Sequence, residues 1–232
     1  MNLLHVRIEE AGYEAHSPAI RDIEFGLRQG ELVGLIGHNG AGKSTTIKAM
    51  LGMIRHMRGS MQWAGERPSY AYVPEHPVVY DDLTLWEHLE TAAAVYELER
   101  PMFIRRAEEL LRQFRMEDVR HHLPGSFSKG MRQKLMLILA FLHQPDVYIV
   151  DEPFVGLDPR GTKQFLELLR AERERGAGVL MSTHVLDAAE RMCDRFVLIA
   201  DGTLAAQGTL DDLRAASGLP DGTLFDCFHE LA

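Results

Sequence analysis

The chain has little cysteine and no excess of positive charge. Its two cysteines, Cys193 and Cys227, form no C-x-x-C pair, so nothing suggests a disulfide framework and a reducing cytosol fits the composition. The formal net charge is −9 at pH 7, with His counted as neutral. That charge argues against nucleic acid as the main partner.

Long apolar runs are also missing. The longest, residues 135–142, is too short to span a bilayer. The N-terminus has no basic region followed by an apolar one, so we do not expect a signal peptide. The 232 residues are enough for one large domain with a substantial core. We therefore expect a chain that does not itself cross a membrane but can dock on a protein that does.

A phosphate-binding loop at residues 37–44 is the most informative pattern present. It fits G-x-x-x-x-G-K-[ST], in which glycines let the backbone approach a phosphate and successive N–H groups bind it. Lys43 can reach the β- and γ-phosphates, and the Ser44 hydroxyl can ligate Mg²⁺. An apolar strand pattern at 32–36 precedes the loop and a helix pattern at 44–51 follows it. The nucleotide-binding residues expected here are Gly37, His38, Asn39, Gly40, Ala41, Gly42, Lys43, Ser44 and Thr45.

Two carboxylates follow a second apolar strand pattern, at residues 147–150. Asp151 and Glu152 come at its C-terminal end, the edge of an α/β sheet where ligands bind. Asp151 can hold Mg²⁺ opposite Ser44, and Glu152 can polarise a water that attacks the γ-phosphate. An acidic turn without function is the alternative, but the nearby phosphate loop makes it the weaker one.

Four other residues are ambiguous when taken singly. Ser128 is a good N-cap for the helix after it, yet its hydroxyl and that helix N-terminus can also bind an anion. His184 follows a core strand pattern and can hydrogen-bond a γ-phosphate, although a lone His is more often structural. Asp158 lies in a turn, and Tyr13 lies in a loop where packing is the usual role of an aromatic ring.

In order and spacing, these segments resemble the ATP-binding-cassette ATPases over nearly the whole chain. The resemblance makes Tyr13 the adenine-stacking residue and residues 127–131 the signature segment, whose Ser128 and Gly130 contact nucleotide. It also makes Asp158 the interface aspartate and a nucleotide-binding residue. The catalytic residues that it implies are Lys43, Glu152 and His184, and the metal-binding residues are Ser44, Asp151 and Glu75.

The family's fold is then implied. It is the α/β fold of an ABC-type P-loop NTPase, with a mixed sheet core, an N-terminal antiparallel β layer and an inserted helical subdomain. We expect residues 1–232 to form one domain, with 1–75 and 146–232 as core and β layer and 76–145 as the helical subdomain. Helical spacing from 85 to 142 and apolar runs at 179–182 and 196–199 agree with this plan.

The sequence departs from the family pattern at two places. Lys129 and Met131 replace a Gly and the Gln of the usual L-S-G-G-Q signature. Glu75 stands where the family usually has Gln, which changes how that loop can sense Mg²⁺. Within the family, residues 72–77, 127–131 and 180–186 look most like the Ecs-type ATP-binding subunits of Gram-positive bacterial exporters.

The resemblance implies an ATPase that uses ATP and Mg²⁺ and powers a membrane transporter, an exporter by its Ecs-type likeness. Its partners would be an integral membrane permease and a second copy of itself, in a head-to-tail homodimer with ATP sandwiched between the copies. The expected location is the cytoplasmic face of the membrane, with the groove near residues 74–86 as the docking site for the permease.

Two alternative functions remain. One is a soluble ABC-type ATPase acting on ribosomes or DNA, which the acidic net charge disfavours. The other is a P-loop small-molecule kinase, which would not need Ser128, Asp158 and His184.

Overall fold

One mixed β-sheet organises the chain. The computed structural model describes residues 1–65 and 69–232, so residues 66–68 of the expected core lie outside the described residues. The described sheet has nine strands in the order β4-β1-β2-β9-β8-β3-β7-β6-β5. The strands are β1 (Asn2–Gly12), β2 (Ile20–Arg28), β3 (Leu32–Ile36), β4 (His56–Trp63), β5 (Tyr70–Val73), β6 (Val147–Asp151), β7 (Gly178–Thr183), β8 (Arg195–Ala200) and β9 (Thr203–Gly208).

Several helices begin at residues whose side chains cap them. Thr84 caps α2 by a reciprocal capping box with Glu87, and Ser128 and Asp158 cap α4 and α5 with their side chains. The helices are α1 (Lys43–Met50), α2 (Leu85–Val95), α3 (Arg100–Phe114), α4 (Lys129–Leu142), α5 (Pro159–Arg175), α6 (Leu186–Met192), α7 (Leu210–Ser217) and α8 (Leu224–Leu231). The predicted helical stretch from 85 to 142 therefore begins where α2 begins and ends where α4 ends.

The parallel half of the sheet carries the site. Strands β8, β3, β7, β6 and β5 pair in parallel in that order. Every residue of β3, β6 and β7 is buried, which explains why these strands read as continuous apolar runs. Since the strands are parallel, their carboxyl ends lie along one edge of the sheet.

The antiparallel half confirms the predicted β layer. Strand β1 pairs antiparallel with both β2 and β4, so Val6 lies opposite Phe25 and Met61. This layer joins the parallel half through one parallel pair, Arg21 with Thr203, between β2 and β9. Strands β4 and β9 were not predicted. Their residues are mostly exposed or half-exposed, so they lack the apolar signal of the buried strands.

Helices cover the two faces of the sheet in different ways. Helices α2, α3 and α4 pack with α5 over one face around Phe103, Leu135 and Phe165. On the other face, α1 packs with the antiparallel layer around Ile8 and Ile47. The segment between β5 and β6 contains helices and no strand. The predicted division of the chain at 76 and 145 remains a prediction, and this arrangement is compatible with it.

Candidate active site

The site forms where neighbouring parallel strands end. Strands β3, β7, β6 and β5 are adjacent, so the segments that follow them lie side by side. They are the phosphate loop, His184, Glu152 and Glu75. Together they line a cleft of about 290 Å³, whose residues are Asn39, Gly40, Gly42, Lys43, Ser44, Thr45, Glu75, Glu152 and His184.

The phosphate loop needs its glycines. Gly40 and Gly42 have φ angles of +86° and +112°, which L side chains rarely adopt. A Cβ on Gly42 would lie 2.6 Å from Ile20 Cγ2, and one on Gly37 would lie 2.5 Å from the carbonyl oxygen of Ile199. At Gly40 a Cβ would meet nothing within 4 Å, so the backbone there faces open space. Helix α1 has no side-chain cap, which leaves its first N–H groups for an anion.

Lys43 lies inside the loop. It is 6% exposed, and its Nζ donates to the carbonyl oxygens of Gly37, at 2.8 Å, and His38, at 3.3 Å. The same Nζ lies 3.6 Å from Glu152 Oε1. The loop therefore places one buried cation and a set of N–H groups around a space suited to phosphate oxygens. These residues fit a nucleoside triphosphate.

Glu152 is held from two sides. Its φ of +48° is strained for a residue with a side chain, and such strain is typical of functional sites. Its N–H donates to the hydroxyl and the carbonyl oxygen of Ser182, at 3.1 and 3.2 Å. Its Oε1 lies 2.9 Å from His184 Nδ1. The carboxylate is thus fixed between Lys43 and His184 at the wall of the cleft.

The predicted metal ligands supply oxygen atoms at the same edge. Ser44 and Glu75 line the cleft, and Asp151 is 2% exposed at the end of β6. Among the described residues, no group of three or more His, Cys, Asp or Glu side chains forms a metal site of its own. This donor set fits Mg²⁺, which usually takes one or two carboxylates together with substrate phosphates and waters.

Seven of the predicted nucleotide-binding residues do not line this cleft. Three belong to the phosphate loop itself (Gly37, His38 and Ala41), and four lie outside it (Tyr13, Ser128, Gly130 and Asp158). Tyr13 is 61% exposed, and Lys48 Nζ of α1 lies 5.9 Å from its ring centroid. Ser128, Gly130 and Asp158 instead lie together at the start of α4 and α5. A Cβ on Gly130 would lie 2.6 Å from the carbonyl oxygen of Gly156, so Gly is required for this packing.

The cluster of Ser128, Gly130 and Asp158 is tied together by α4. Lys134 Nζ lies 3.5 Å from Asp158 Oδ1, and Asp158 also accepts the N–H of Gly161 at 2.9 Å. That backbone hydrogen bond, with Lys134, lowers the pKa of Asp158. Ser128 accepts the N–H of Met131 at 3.2 Å, so the predicted N-cap is confirmed, while its contact with nucleotide remains a prediction.

An apolar groove of about 310 Å³ lies beside the cleft, between β5, α2 and α4. Val78, Tyr80 and Val95 on its rim are 74%, 69% and 71% exposed. Tyr72 lines the groove, and burial, with the charges of Asp151 and Glu75, raises its pKa to about 12. The groove thus includes a residue that lies close enough to Asp151 and Glu75 for their charges to affect it. The groove includes part of the predicted docking site at 74–86. The residues that α4 contributes to the groove were not predicted.

Comparisons with known proteins agree with this geometry. Residues 20–155 match the family model described as "ABC transporter". The chain is 53% identical over 229 residues to the ABC transporter ATP-binding protein YthP of Bacillus subtilis, covering 99% of this chain and 96% of that protein. It is 43% identical to the ABC-type transporter ATP-binding protein EcsA of the same organism, covering 100% and 97%. These matches confirm the predicted family and its Ecs-type resemblance.

Solved structures give the same answer for the fold. A structure described as the ATP-binding subunit of an ABC transporter superposes with a TM-score of 0.94 at 44% identity, covering 99% of both chains. The cbiO1 structure from Clostridium perfringens superposes with a TM-score of 0.75 at 21% identity, covering 92% of this chain and 91% of that one. The predicted ABC-type P-loop fold is confirmed.

Proposed function

Since this chain belongs to the ABC transporter family of ATP-binding proteins, we propose that it hydrolyses ATP to power a membrane transporter. The observation that carries the proposal is the convergence of Lys43, Glu152 and His184 at the carboxyl ends of adjacent strands. A phosphate cradle without a base would only bind nucleotide. A carboxylate 3.6 Å from the cradle's lysine adds a proton acceptor at the point where a γ-phosphate would end.

Each residue has a distinct part in the proposed reaction. Lys43 neutralises charge on the β- and γ-phosphates, and the N–H groups of the loop hold their oxygens. Glu152 accepts a proton from the attacking water, and His184 orients Glu152 through the contact at its Nδ1. Ser44, Asp151 and Glu75 would hold Mg²⁺, which supplies charge stabilisation on the phosphate oxygens when bound.

The working unit is a head-to-tail homodimer. The cluster of Ser128, Gly130 and Asp158 contributes no residue to the cleft lining that the described residues form. Ser128 and the N-terminus of α4 are exposed, and Lys129 lies in the first turn of that helix. This surface therefore suits an anion presented from outside the chain. A second copy of the chain would present the γ-phosphate of its own ATP, and hydrolysis would remove the shared anion.

The membrane partner is an integral permease, bound at the cytoplasmic face. No helix among the described residues is long and apolar enough to cross a bilayer. The groove beside the cleft offers exposed apolar side chains, and the exposed carboxylates Asp81 and Asp82 follow its rim residue Tyr80. An amphipathic cytoplasmic helix of the permease, apolar on one side and basic on the other, fits this surface. Export as the direction rests on the Ecs-type likeness.

Phosphate release by the purified chain tests the hydrolysis. We expect Mg²⁺-dependent formation of ADP and phosphate without any acceptor molecule, which a kinase would require. Lys43→Ala should lower turnover by about 100-fold or more, because it removes the charged donor at the phosphates. The control is Lys163→Ala, on the exposed side of α5. Equal turnover in Lys43→Ala and the parent would refute the site.

Membrane pull-down tests the partner and separates it from a ribosome- or DNA-bound role. A tagged chain should co-purify from detergent-solubilised membranes with a protein of several membrane-spanning helices. Val95→Asp should abolish this capture, because it places a charge on the apolar rim. Phe225→Asp, at the similarly exposed Phe225 of α8, should leave it intact. Capture of ribosomes or DNA instead would favour the soluble alternative.

A further inference from the structure

Ser182 connects the two carboxylates of the site. It is 0% exposed and lies in β7, where its register partner on the adjacent parallel strand is Asp151. Register partners project from the same face of a sheet, so the two side chains meet. The Ser182 hydroxyl donates to Asp151 Oδ1, while the N–H of the next residue, Glu152, donates to the same hydroxyl at 3.1 Å.

The donor and acceptor roles of Ser182 are fixed by chemistry. A hydroxyl has one proton, and the N–H of Glu152 can only donate, so it occupies an acceptor position of Ser182. The proton of Ser182 must then point at Asp151, whose ionised carboxylate can only accept. A hydrogen bond to a carboxylate is about twice as strong as a neutral one. Within the described residues, Ser182 supplies the hydrogen bond that the Asp151 side chain accepts.

A neighbouring hydroxyl shows that this is a property of Ser182 and not of the strand end. Thr183 is equally buried, but its Oγ1 accepts the N–H of Val185 at 3.0 Å and stabilises the turn that leads to His184. Small size alone also fails to explain the residue, since alanine would pack in the same space. A hydroxyl in this position is explained by the carboxylate that it contacts.

We propose that Ser182 is a positioning residue that orients Asp151 for Mg²⁺ and so sets the magnesium requirement of the enzyme. The inference rests on the proposed function. With Oδ1 held by Ser182, the carboxylate cannot rotate freely, and its second oxygen is available to the metal or to a metal-bound water. The same hydroxyl anchors the backbone of Glu152, so one side chain couples the orientation of the metal ligand to that of the proposed base.

Ser182→Ala tests the inference while leaving the backbone in place, because the Glu152 N–H retains its hydrogen bond to the carbonyl oxygen of residue 182, at 3.2 Å. We expect about 10-fold more Mg²⁺ to be needed for half-maximal phosphate release, as is common when a residue that orients a metal ligand is removed. Affinity for a fluorescent ATP analogue in EDTA should equal that of the parent. The gain in that affinity on adding Mg²⁺ should shrink, and this readout does not depend on turnover.

Two further variants sharpen the result. Ser182→Thr retains the hydroxyl and should restore the parent magnesium curve. Ser217→Ala removes a half-buried hydroxyl in α7 and should leave the curve unchanged. Thermal unfolding identifies any variant that fails to fold, and a magnesium curve of folded Ser182→Thr that is shifted from the parent curve would contradict the inference.

Three outcomes would contradict the proposals in distinguishable ways. An unchanged magnesium curve in folded Ser182→Ala would overturn the inference and leave the proposed function standing. Loss of nucleotide affinity in EDTA would also overturn it, because the residue would then act on the nucleotide and not on the metal ligand. A parent chain without Mg²⁺-dependent hydrolysis would refute the proposed function itself.

Discussion

The ring of His143 lies parallel to the ring of Tyr96, with centroids 3.6 Å apart and 3° between the planes. The pair lines the apolar groove, and burial lowers the pKa of His143. Burial therefore favours the neutral imidazole in the folded chain.

Acidification should weaken the fold through His143. Because its folded-state pKa is lowered, the unfolded chain binds the proton first, and stability falls as the pH drops below the ordinary value of about 6.5. His143→Phe retains the stack and cannot titrate. The melting temperature of the parent should therefore fall more than that of the variant between pH 8 and pH 5. His16→Phe, at an exposed histidine, should follow the parent, and identical slopes for His143→Phe and the parent would contradict the prediction.

Glu152→Gln should keep ATP binding and block hydrolysis, because an amide does not accept a proton from water. The trapped species should be a dimer that contains ATP. Size-exclusion chromatography with Mg-ATP would detect it, with the exposed-site variant Glu174→Gln as the control that turns over ATP and does not accumulate as a dimer. A Glu152→Gln chain that binds ATP fully but remains monomeric would refute the sandwich.

Ser128→Arg should leave ATP binding to the monomer unchanged and abolish turnover. The side chain would occupy the space proposed for the partner's γ-phosphate, whereas the chain's own cleft does not include residue 128. Nucleotide affinity and turnover must be measured on the same protein. Ser126→Arg, two residues earlier on the exposed surface, should behave as the parent. A parallel fall of affinity and turnover in Ser128→Arg would place the residue in the monomer's own site.

Glu75→Gln should yield an active enzyme that needs more Mg²⁺ for its half-maximal rate. A carboxylate attracts the metal more strongly than an amide does, and this outweighs its repulsion of the γ-phosphate because the metal is nearer. Glu75 lines the cleft, which is compatible with the prediction. A magnesium titration of both proteins decides it, since superimposable curves would leave Glu75 as a residue that faces the membrane partner.

Arg106→Ala should destabilise the fold by about 3 kcal/mol, because it leaves part of a buried charge uncompensated. Arg106 Nη2 of α3 lies 3.1 Å from Glu172 Oε1 of α5, and Glu172 is 3% exposed. Chemical denaturation measures the loss, and Arg105→Ala, on the exposed side of the same helix, should have little effect. Equal stability of the two variants would show that Arg175 and Gln144 satisfy Glu172 alone.

Local signals were sufficient wherever a residue's role depends on its neighbours in the chain. The glycines at 40 and 42 adopt left-handed φ angles because the turn requires them, and the capping of α4 by Ser128 follows from spacing. The buried strands β3, β6 and β7 were predictable because a strand covered on both faces must be apolar throughout. Strands β4 and β9 were missed because half-exposed strands lack that signal.

The sequence by itself determined the phosphate loop, the buried strands β3, β6 and β7 and the presence of carboxylates after β6, because these depend on local pattern. Only the tertiary structure decided that β3, β7 and β6 are neighbours, and hence that Lys43, His184 and Glu152 meet. It alone revealed that Ser182, thirty-one residues after Asp151, hydrogen-bonds the carboxylate of Asp151. The physical reason is that strand adjacency is set by packing between distant segments, and a buried polar side chain is explained only by the partner that packing brings to it.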